Sequence, residues 1–232
     1  MRPENDRIQS VYAQRDSIGR RSLYEWYRPE VRQWELEKER VASALLSKFI
    51  GTNLGKISVL DIGCGTGEFL RKLIEWGATP GNLVGTEFLM DRLETAREKS
   101  VQGVDWRLGG LDFAEPESFD LVVTNTVFSS ILDVSERKAL SQEMWRVLKP
   151  GGWVMVFDFR YNNPSNSNVS KVTRAELQGY WDEVSQEYYR TLCLAPPLAR
   201  RIVPLSRLAG EILTLIAPFL KSHFYFLKQK PK

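Results

Sequence analysis

Two hydrophobic rhythms divide the chain. Between Leu23 and Phe49 the apolar residues Val31, Trp34, Val41, Leu45 and Phe49 recur at roughly helical spacing, with Glu, Lys and Arg between them, which predicts an amphipathic helix. Pro29 suits its start, because the ring presets first-turn backbone angles, and Gly51-Thr-Asn supplies a stop. From there short apolar runs alternate with amphipathic stretches. Lys56–Ile62, Asn82–Glu87, Val104–Leu108, Phe119–Thr124 and Trp153–Phe159 read as strands. Gly67–Trp76, Met90–Lys99, Ser135–Leu148 and Arg174–Trp181 read as helices, the third closed by Lys149-Pro-Gly-Gly, a helix stop and a turn. Short apolar strands alternating with helices need cover on both faces, so the pattern predicts a doubly wound α/β fold on a parallel sheet.

The rhythm breaks near the end. Tyr188–Leu194 reads as a strand and His223–Leu227 as a terminal one. Between them Pro196–Leu220 carries four prolines and mixes arginines with leucines and isoleucines, reading as two short helices. The expected organisation is a helical cap over residues 1–50 and a core over 51–232, with an insertion at about 195–220, in one structural domain.

One strand-to-helix turn carries chemistry: Val59-Leu-Asp-Ile-Gly-Cys-Gly-Thr-Gly-Glu-Phe-Leu70. In an open parallel sheet, ligands bind beyond the carboxyl ends of the strands, and glycine removes the side chain that would block them. A dinucleotide turn wants Gly-x-Gly-x-x-Gly, but counting from Gly63 the third required position holds Glu68. A carboxylate there is electrostatically wrong for a pyrophosphate, and no Gly-Lys-Ser/Thr follows for a phosphate loop. Glu87 ends the next strand, placed to accept both hydroxyls of a ribose.

The alternate spacing Gly63, Gly65, Gly67 behind Asp61 resembles the cofactor loop of the class I S-adenosylmethionine-dependent methyltransferases. Ser118-Phe-Asp-Leu-Val-Val123 is similar to that family's fourth strand, and Arg146-Val-Leu-Lys-Pro-Gly-Gly152 to its helix end before the fifth, so the likeness runs from Val59 to Asp158. It implies a Rossmann-like doubly wound sheet of seven strands, mostly parallel, with an antiparallel last strand that His223–Leu227 fits. It implies S-adenosylmethionine as cofactor and S-adenosylhomocysteine as product, with no metal. By the same likeness Asp61, Gly63, Gly65 and Gly67 line the methionine and ribose, and Glu87 holds the ribose. Phe88 packs on the adenine, Leu111 and Asp112 stand at the adenine amino group, and Asn125 touches the cofactor from the fourth strand.

The acceptor side is less defined. Many small-molecule members place a histidine after the fourth strand, where this chain has Asn125-Thr-Val-Phe-Ser-Ser-Ile-Leu-Asp133. Asp158, at the end of the fifth strand, is the candidate base or orienting group for an acceptor hydroxyl. Arg160 is a candidate for an acidic group on the acceptor and Asn163 for hydroxyls, against the alternative that Asn162-Asn-Pro-Ser-Asn166 is ordinary turn chemistry. In the N-terminal cluster Leu23-Tyr-Glu-Trp-Tyr-Arg28, the residues Tyr24, Tyr27 and Arg28 are candidates to close over the site, Arg28 on the methionine carboxylate.

Composition narrows the classes. A formal net charge of +3 with no basic cluster argues against a nucleic-acid acceptor. Cys64 and Cys193 read as two unpaired thiols of a reducing compartment, one disulfide being the alternative. No run of about 18 apolar residues is present to span a bilayer, which leaves a cytoplasmic expectation. Arginines mixed with apolar residues at 195–220 allow peripheral membrane contact or a lipid-linked substrate. The reading at this stage is methyl transfer to a small molecule or glycan, at oxygen. Its rivals are a nucleic-acid methyltransferase and a non-catalytic cofactor-binding scaffold.

Overall fold

The computed structural model describes residues 7, 8, 10, 11, 25–163, 166–181 and 185–232. Seven strands form one sheet: β1 (Val59–Ile62), β2 (Leu83–Glu87), β3 (Asp105–Leu108), β4 (Phe119–Asn125), β5 (Leu148–Phe159), β6 (Glu187–Leu194) and β7 (Lys221–Gln229). Their order is β3-β2-β1-β4-β5-β7-β6. β1 to β5 pair in parallel, while β7 runs antiparallel to both β5 and β6. The doubly wound, mostly parallel sheet with a reversed last strand is therefore present.

The helices α1 (Pro29–Leu45), α2 (Glu68–Glu75), α3 (Met90–Lys99), α4 (Val134–Val147), α5 (Arg174–Gln178), α6 (Pro196–Ile202) and α7 (Arg207–Ile216) cover it. Alternation along the strands splits the core into two layers. On one face Val59, Leu121, Val123, Trp153, Met155 and Tyr225 pack under α1 and α2 through Val41, Leu45, Leu70 and Leu73. On the other Leu60, Val122, Val154, Val156 and Phe226 meet Met144 and Val147 of α4 and Leu177 of α5. Residues of one strand thus alternate between the two layers, as the pleat requires.

Three boundaries differ from the periodicity. α1 starts at Pro29, as its ring predicts, but its C-terminal end widens into a π turn, Leu46–Ile50, before Gly51 takes φ 119°. α5 stops at Gln178 with Gly179 behind it, and Trp181 lies beyond the helix as a buried anchor donating Nε1 to the Ser141 carbonyl at 2.9 Å. Lys149-Pro-Gly-Gly lies within β5 rather than before it. Phe119 pairs with Leu148 and Leu121 with Trp153, so these four residues bulge against β4. The bulge ties to the C-terminal end through Gly151 N donating to the Lys230 carbonyl at 3.0 Å.

β5 ends where β7 begins, because Phe159 pairs with His223. The 195–220 connection therefore emerges at the carboxyl end of the parallel strands. The described N-terminal residues reach the same end, where the Arg7 guanidinium donates to the Ser130 carbonyl just after β4.

Candidate functional site

Asp61, the third residue of β1, is wholly enclosed, and its neighbour strands fix it beside Gly85 and Val123. The chain then turns through Gly63, Cys64, Gly65 and Thr66 into α2. The three glycines do different things. A Cβ on Gly63 would stand 2.7 Å from Val127, and one on Gly67 would stand 2.5 Å from the Trp106 ring and 3.1 Å from Ala96. Those two are small so that protein can pack against the loop. Gly65, at φ 56°, has among the described residues only Arg92 Nη1 within reach of its Cβ, at 3.7 Å. It is the glycine of this turn whose α-carbon faces open space.

Glu87 at the end of β2 locks the turn. Its Oε2 accepts from Gly65 N at 3.0 Å, and its Oε1 from Phe88 N at 2.7 Å and Leu89 N at 3.1 Å. A carboxylate has about four lone-pair directions, so three N–H donors leave acceptor capacity on a residue that is itself almost buried. Phe88 is exposed beside it. Leu111 is buried, its carbonyl held by Ala114 N at 2.9 Å and Arg146 Nη2 at 3.3 Å, while the Asp112 side chain is exposed.

Polar atoms gather at the carboxyl ends of β1 and β4. Asp61 Oδ1 and both polar atoms of the Asn125 amide are buried with no hydrogen bond within the described chain. Burial raises the Asp61 carboxyl to about 7; Asn125 and Lys38 partly offset this and Glu87 adds to it. Lys38 projects from α1 toward this region with its ammonium 5.4 Å from the Phe157 ring centroid. Burial works against its charge, yet Glu35 at 3.3 Å and Glu68 hold its pKa above the usual lysine value. The sequence reading missed Lys38, although a signal was present: the inward stripe Val31, Trp34, Val41, Leu45 has a lysine at the step between Trp34 and Val41.

Other expected residues lie apart. Tyr24 is outside the described residues. Tyr27 is exposed, its pKa raised by a hydrogen bond to Glu25. Arg28 pairs with Glu30 at 2.9 Å, and Glu30 lines a cleft with Val31, Trp34, Leu194, Pro196, Ala199 and Arg200, so Arg28 stands at the α6 end of α1. The α1 cation whose field reaches Asp61 is Lys38.

Asp158 departs most from expectation. It is wholly buried, with Oδ2 accepting from Ser129 N at 3.0 Å and Oδ1 from Phe159 N at 2.8 Å. Burial raises it to about 6 against these hydrogen bonds and the nearby Arg137. It anchors the turn Phe128–Ser130 that follows β4, a place for a supporting carboxylate rather than one facing an acceptor. Arg160 spends its guanidinium on the carbonyls of Pro218 and Lys221, at 3.1 and 3.4 Å. Asn162 Oδ1 accepts from Lys171 N at 2.8 Å, and Asn163 is exposed in the same turn, its carbonyl accepting from Asn166 N. Asn162, and Asn166 through its side-chain oxygen on Asn168 N, thus act as turn residues.

His223 is buried between Trp34, Phe157 and Phe159, with ring centroids 4.9, 5.1 and 4.2 Å away. Burial, reinforced by Lys38, lowers its pKa to about 3, so the ring is neutral. Both cysteines are free and buried, and no group of three or more metal-ligating side chains lies together among the described residues.

The expected cofactor can be tested against these residues. Buried polar atoms on Asp61 and Asn125 without partners suit an amino-acid group, since such atoms are costly to leave unpaired. The open face of Gly65 beside the spare acceptor positions of Glu87 suits a ribose. The residues present fit S-adenosylmethionine.

Comparison with known proteins points the same way. Residues 59–152 match a family model described as a methyltransferase domain. The chain is 30% identical over 149 residues to the biotin biosynthesis bifunctional protein BioHC of Cellvibrio japonicus, covering 63% of this chain and 26% of that protein. It is 27% identical over 206 residues to the demethylmenaquinone methyltransferase of Lactococcus lactis, covering 78% and 77%. The chain thus spans about a quarter of the first relative's length and about three quarters of the second's. In structure it superposes on phosphoethanolamine N-methyltransferase 2 of Haemonchus contortus in complex with S-adenosyl-L-methionine, with TM-score 0.60, 18% identity and coverage of 83% and 53%. The methyltransferase-domain match over residues 59–152, the relatives and the shared fold together support a class I S-adenosylmethionine-dependent methyltransferase.

Proposed function

We propose that the protein transfers a methyl group to a small, largely apolar acceptor, at an oxygen that is acidic enough to be ionised when bound. The observation that carries the transfer is the arrangement at the ends of β1 and β2: unpartnered Asp61 and Asn125, open Gly65, and Glu87 with acceptor capacity to spare. Asp61, Asn125 and Lys38 would hold the amino-acid end of the cofactor and Glu87 the ribose, with Phe88 and Asp112 at the base. When bound, the cofactor supplies an electrophilic methyl on a sulfonium; the protein aligns the acceptor and excludes water.

Support for this acceptor comes from which candidate bases are engaged among the described residues. Asp158 is enclosed with both oxygens engaged, and His223 is neutral and shut between aromatic rings. Neither reaches an acceptor as a base. A neutral alcohol would need one, whereas an acidic hydroxyl or a carboxylate would not. The cleft between α1 and α6, lined by Val31, Trp34, Leu194, Pro196 and Ala199 together with the charged Glu30 and Arg200, would take an apolar body that carries a polar or charged group. A demethylmenaquinone methyltransferase among the relatives is in keeping with a ring-bearing, largely apolar acceptor and carries no weight on the atom methylated. A glycan draws no support from Asn162 and Asn166, whose side-chain oxygens accept from backbone N–H groups of the same segment.

The test is transfer of labelled methyl to a panel of acidic hydroxyaromatic and hydroxyquinone compounds, neutral alcohols, amines and oligosaccharides. Label on the acidic hydroxyls is expected; label confined to amines or sugars would overturn the acceptor reading. Glu87→Gln should weaken S-adenosylhomocysteine binding by about 1.5–3 kcal/mol, the range for hydrogen bonds to a charged group. Unchanged calorimetric affinity would remove Glu87 from the cofactor site.

A further inference from the structure

Helix α7 is built inside out. A helix on a protein surface ordinarily turns its apolar stripe inward. Here Gly210 and Thr214 are buried, while Leu208, Ile212, Leu215 and Ile216 are exposed, Leu215 at 78% and Ile216 at 73%. Leu208, Ile212 and Leu215 follow one another at i, i+4 and i+7, so they form a single outward stripe, and Phe219 is exposed in the separate turn Pro218–Leu220 beyond the helix. Leu205, 88% exposed in the turn before α7, extends it. Monomeric soluble proteins rarely leave a contiguous apolar surface of this kind without a use for it.

Charge accompanies the stripe. Residues 196–221 hold Arg200, Arg201, Arg207 and Lys221 against Glu211 alone, a net +3 equal to the formal charge of the whole chain. The rest of the protein is balanced. Position adds a third observation. The segment joins the end of β6 to the start of β7, and Arg160 at the end of β5 ties its carbonyls at Pro218 and Lys221 to the sheet. Tyr161 adds a hydrogen bond to the Phe219 carbonyl at 3.1 Å. The stripe is thus held rigidly at the end of the sheet that carries Glu87, Asp61 and Asn125.

We propose that α6 and α7 form an interfacial anchor that seats this end of the protein on an anionic lipid surface. Outward Leu, Ile and Phe would enter the boundary between headgroups and acyl chains, and the arginines would meet the lipid charge. A self-complementary dimer through the same face would bring two sets of these arginines together, which favours lipid over a second copy. The inference goes beyond the proposed reaction and does not depend on which atom is methylated. It would let an apolar acceptor pass from the bilayer into the cleft between α1 and α6.

Sedimentation with vesicles of phosphatidylcholine alone, and of phosphatidylcholine with equal parts of phosphatidylglycerol, tests it on the full chain. The protein should pellet with the anionic vesicles and be released by salt. Leu215→Glu with Ile216→Glu should reduce binding by roughly tenfold or more, and Arg201→Glu with Arg207→Glu should abolish the preference for anionic lipid. All four side chains are exposed, so S-adenosylhomocysteine affinity should be retained, which separates lost anchoring from lost fold. Failure of the unaltered protein to pellet, or equal pelleting of the double variants, would overturn the proposal. Self-association that Leu215→Glu with Ile216→Glu abolishes, without vesicle binding, would instead assign the face to a second copy. Absence of S-adenosylhomocysteine binding by the unaltered protein would sink the reading of the reaction and leave the vesicle result intact.

Discussion

Gly65 and Gly67 lie two residues apart on one loop, yet their alanine variants should fail in opposite ways. Both have positive φ, 56° and 78°, where a Cβ costs roughly 1–2 kcal/mol. At Gly67 the new methyl would also meet the Trp106 ring at 2.5 Å and Ala96 at 3.1 Å. Trp106 is wedged equally close to Gly85, at 2.7 Å from its would-be Cβ, so the ring has little room to move. Overpacking of this kind adds about 1–3 kcal/mol, for a total of about 2–5 kcal/mol of stability lost in Gly67→Ala. In a domain of this size each kcal/mol lowers Tm by about 2–4 °C. Gly65→Ala should lose only the backbone part, because nothing lies within 3.4 Å of its Cβ. Its methyl would instead occupy the space where the ribose is expected, so S-adenosylhomocysteine affinity should fall by about tenfold or more. Chemical denaturation and calorimetry on both variants measure the two effects. A Trp106→Leu background supplies the decisive control, since it should recover the steric part of Gly67→Ala and leave Gly65→Ala unchanged. Equal stability of the two alanine variants, or no recovery with Trp106→Leu, would refute the division of labour drawn between them.

Two further outcomes follow from the buried carboxylates. Asp158→Asn keeps one acceptor oxygen and turns an NH2 group toward the Ser129 or Phe159 N–H, so it should lower Tm and displace the Phe128–Ser130 turn. Turnover should then fall more than cofactor affinity, and an unchanged Tm with full turnover would remove Asp158 from any supporting role. Asp61 is raised from 3.8 to about 7 and Asp158 from 3.8 to about 6, so the folded state of the free protein binds protons more tightly than the unfolded chain. That contribution to stability is complete below pH 3.8 and is lost as pH rises through these values. Asp61→Asn should therefore flatten the decline in Tm between about pH 4 and about pH 7, and an identical slope in both proteins would contradict the buried setting of Asp61.

What the sequence determined by itself was local. Periodicity fixed the order and kind of nearly every element, because the 3.6- and 2-residue repeats report directly on which face a helix or strand buries. The third glycine at Gly67 and the carboxylate of Glu68 turned the loop away from dinucleotides, and the strand-end position of Glu87 made it the candidate for the ribose. Tertiary structure decided whatever depends on residues far along the chain. Of the three glycines, only the neighbours Val127 and Trp106 show that Gly63 and Gly67 serve packing and Gly65 faces outward. Asp158 looked accessible at a strand end until the turn at Ser129 closed over it. Lys38 sat on a helical stripe as an anomaly until Phe157, Glu35 and Glu68 surrounded it. In α7 an apolar stripe was plain in the sequence, but its direction was not. A hydrophobic period says that one face of a helix differs from the other, and only the packed neighbours decide which face is turned to the protein.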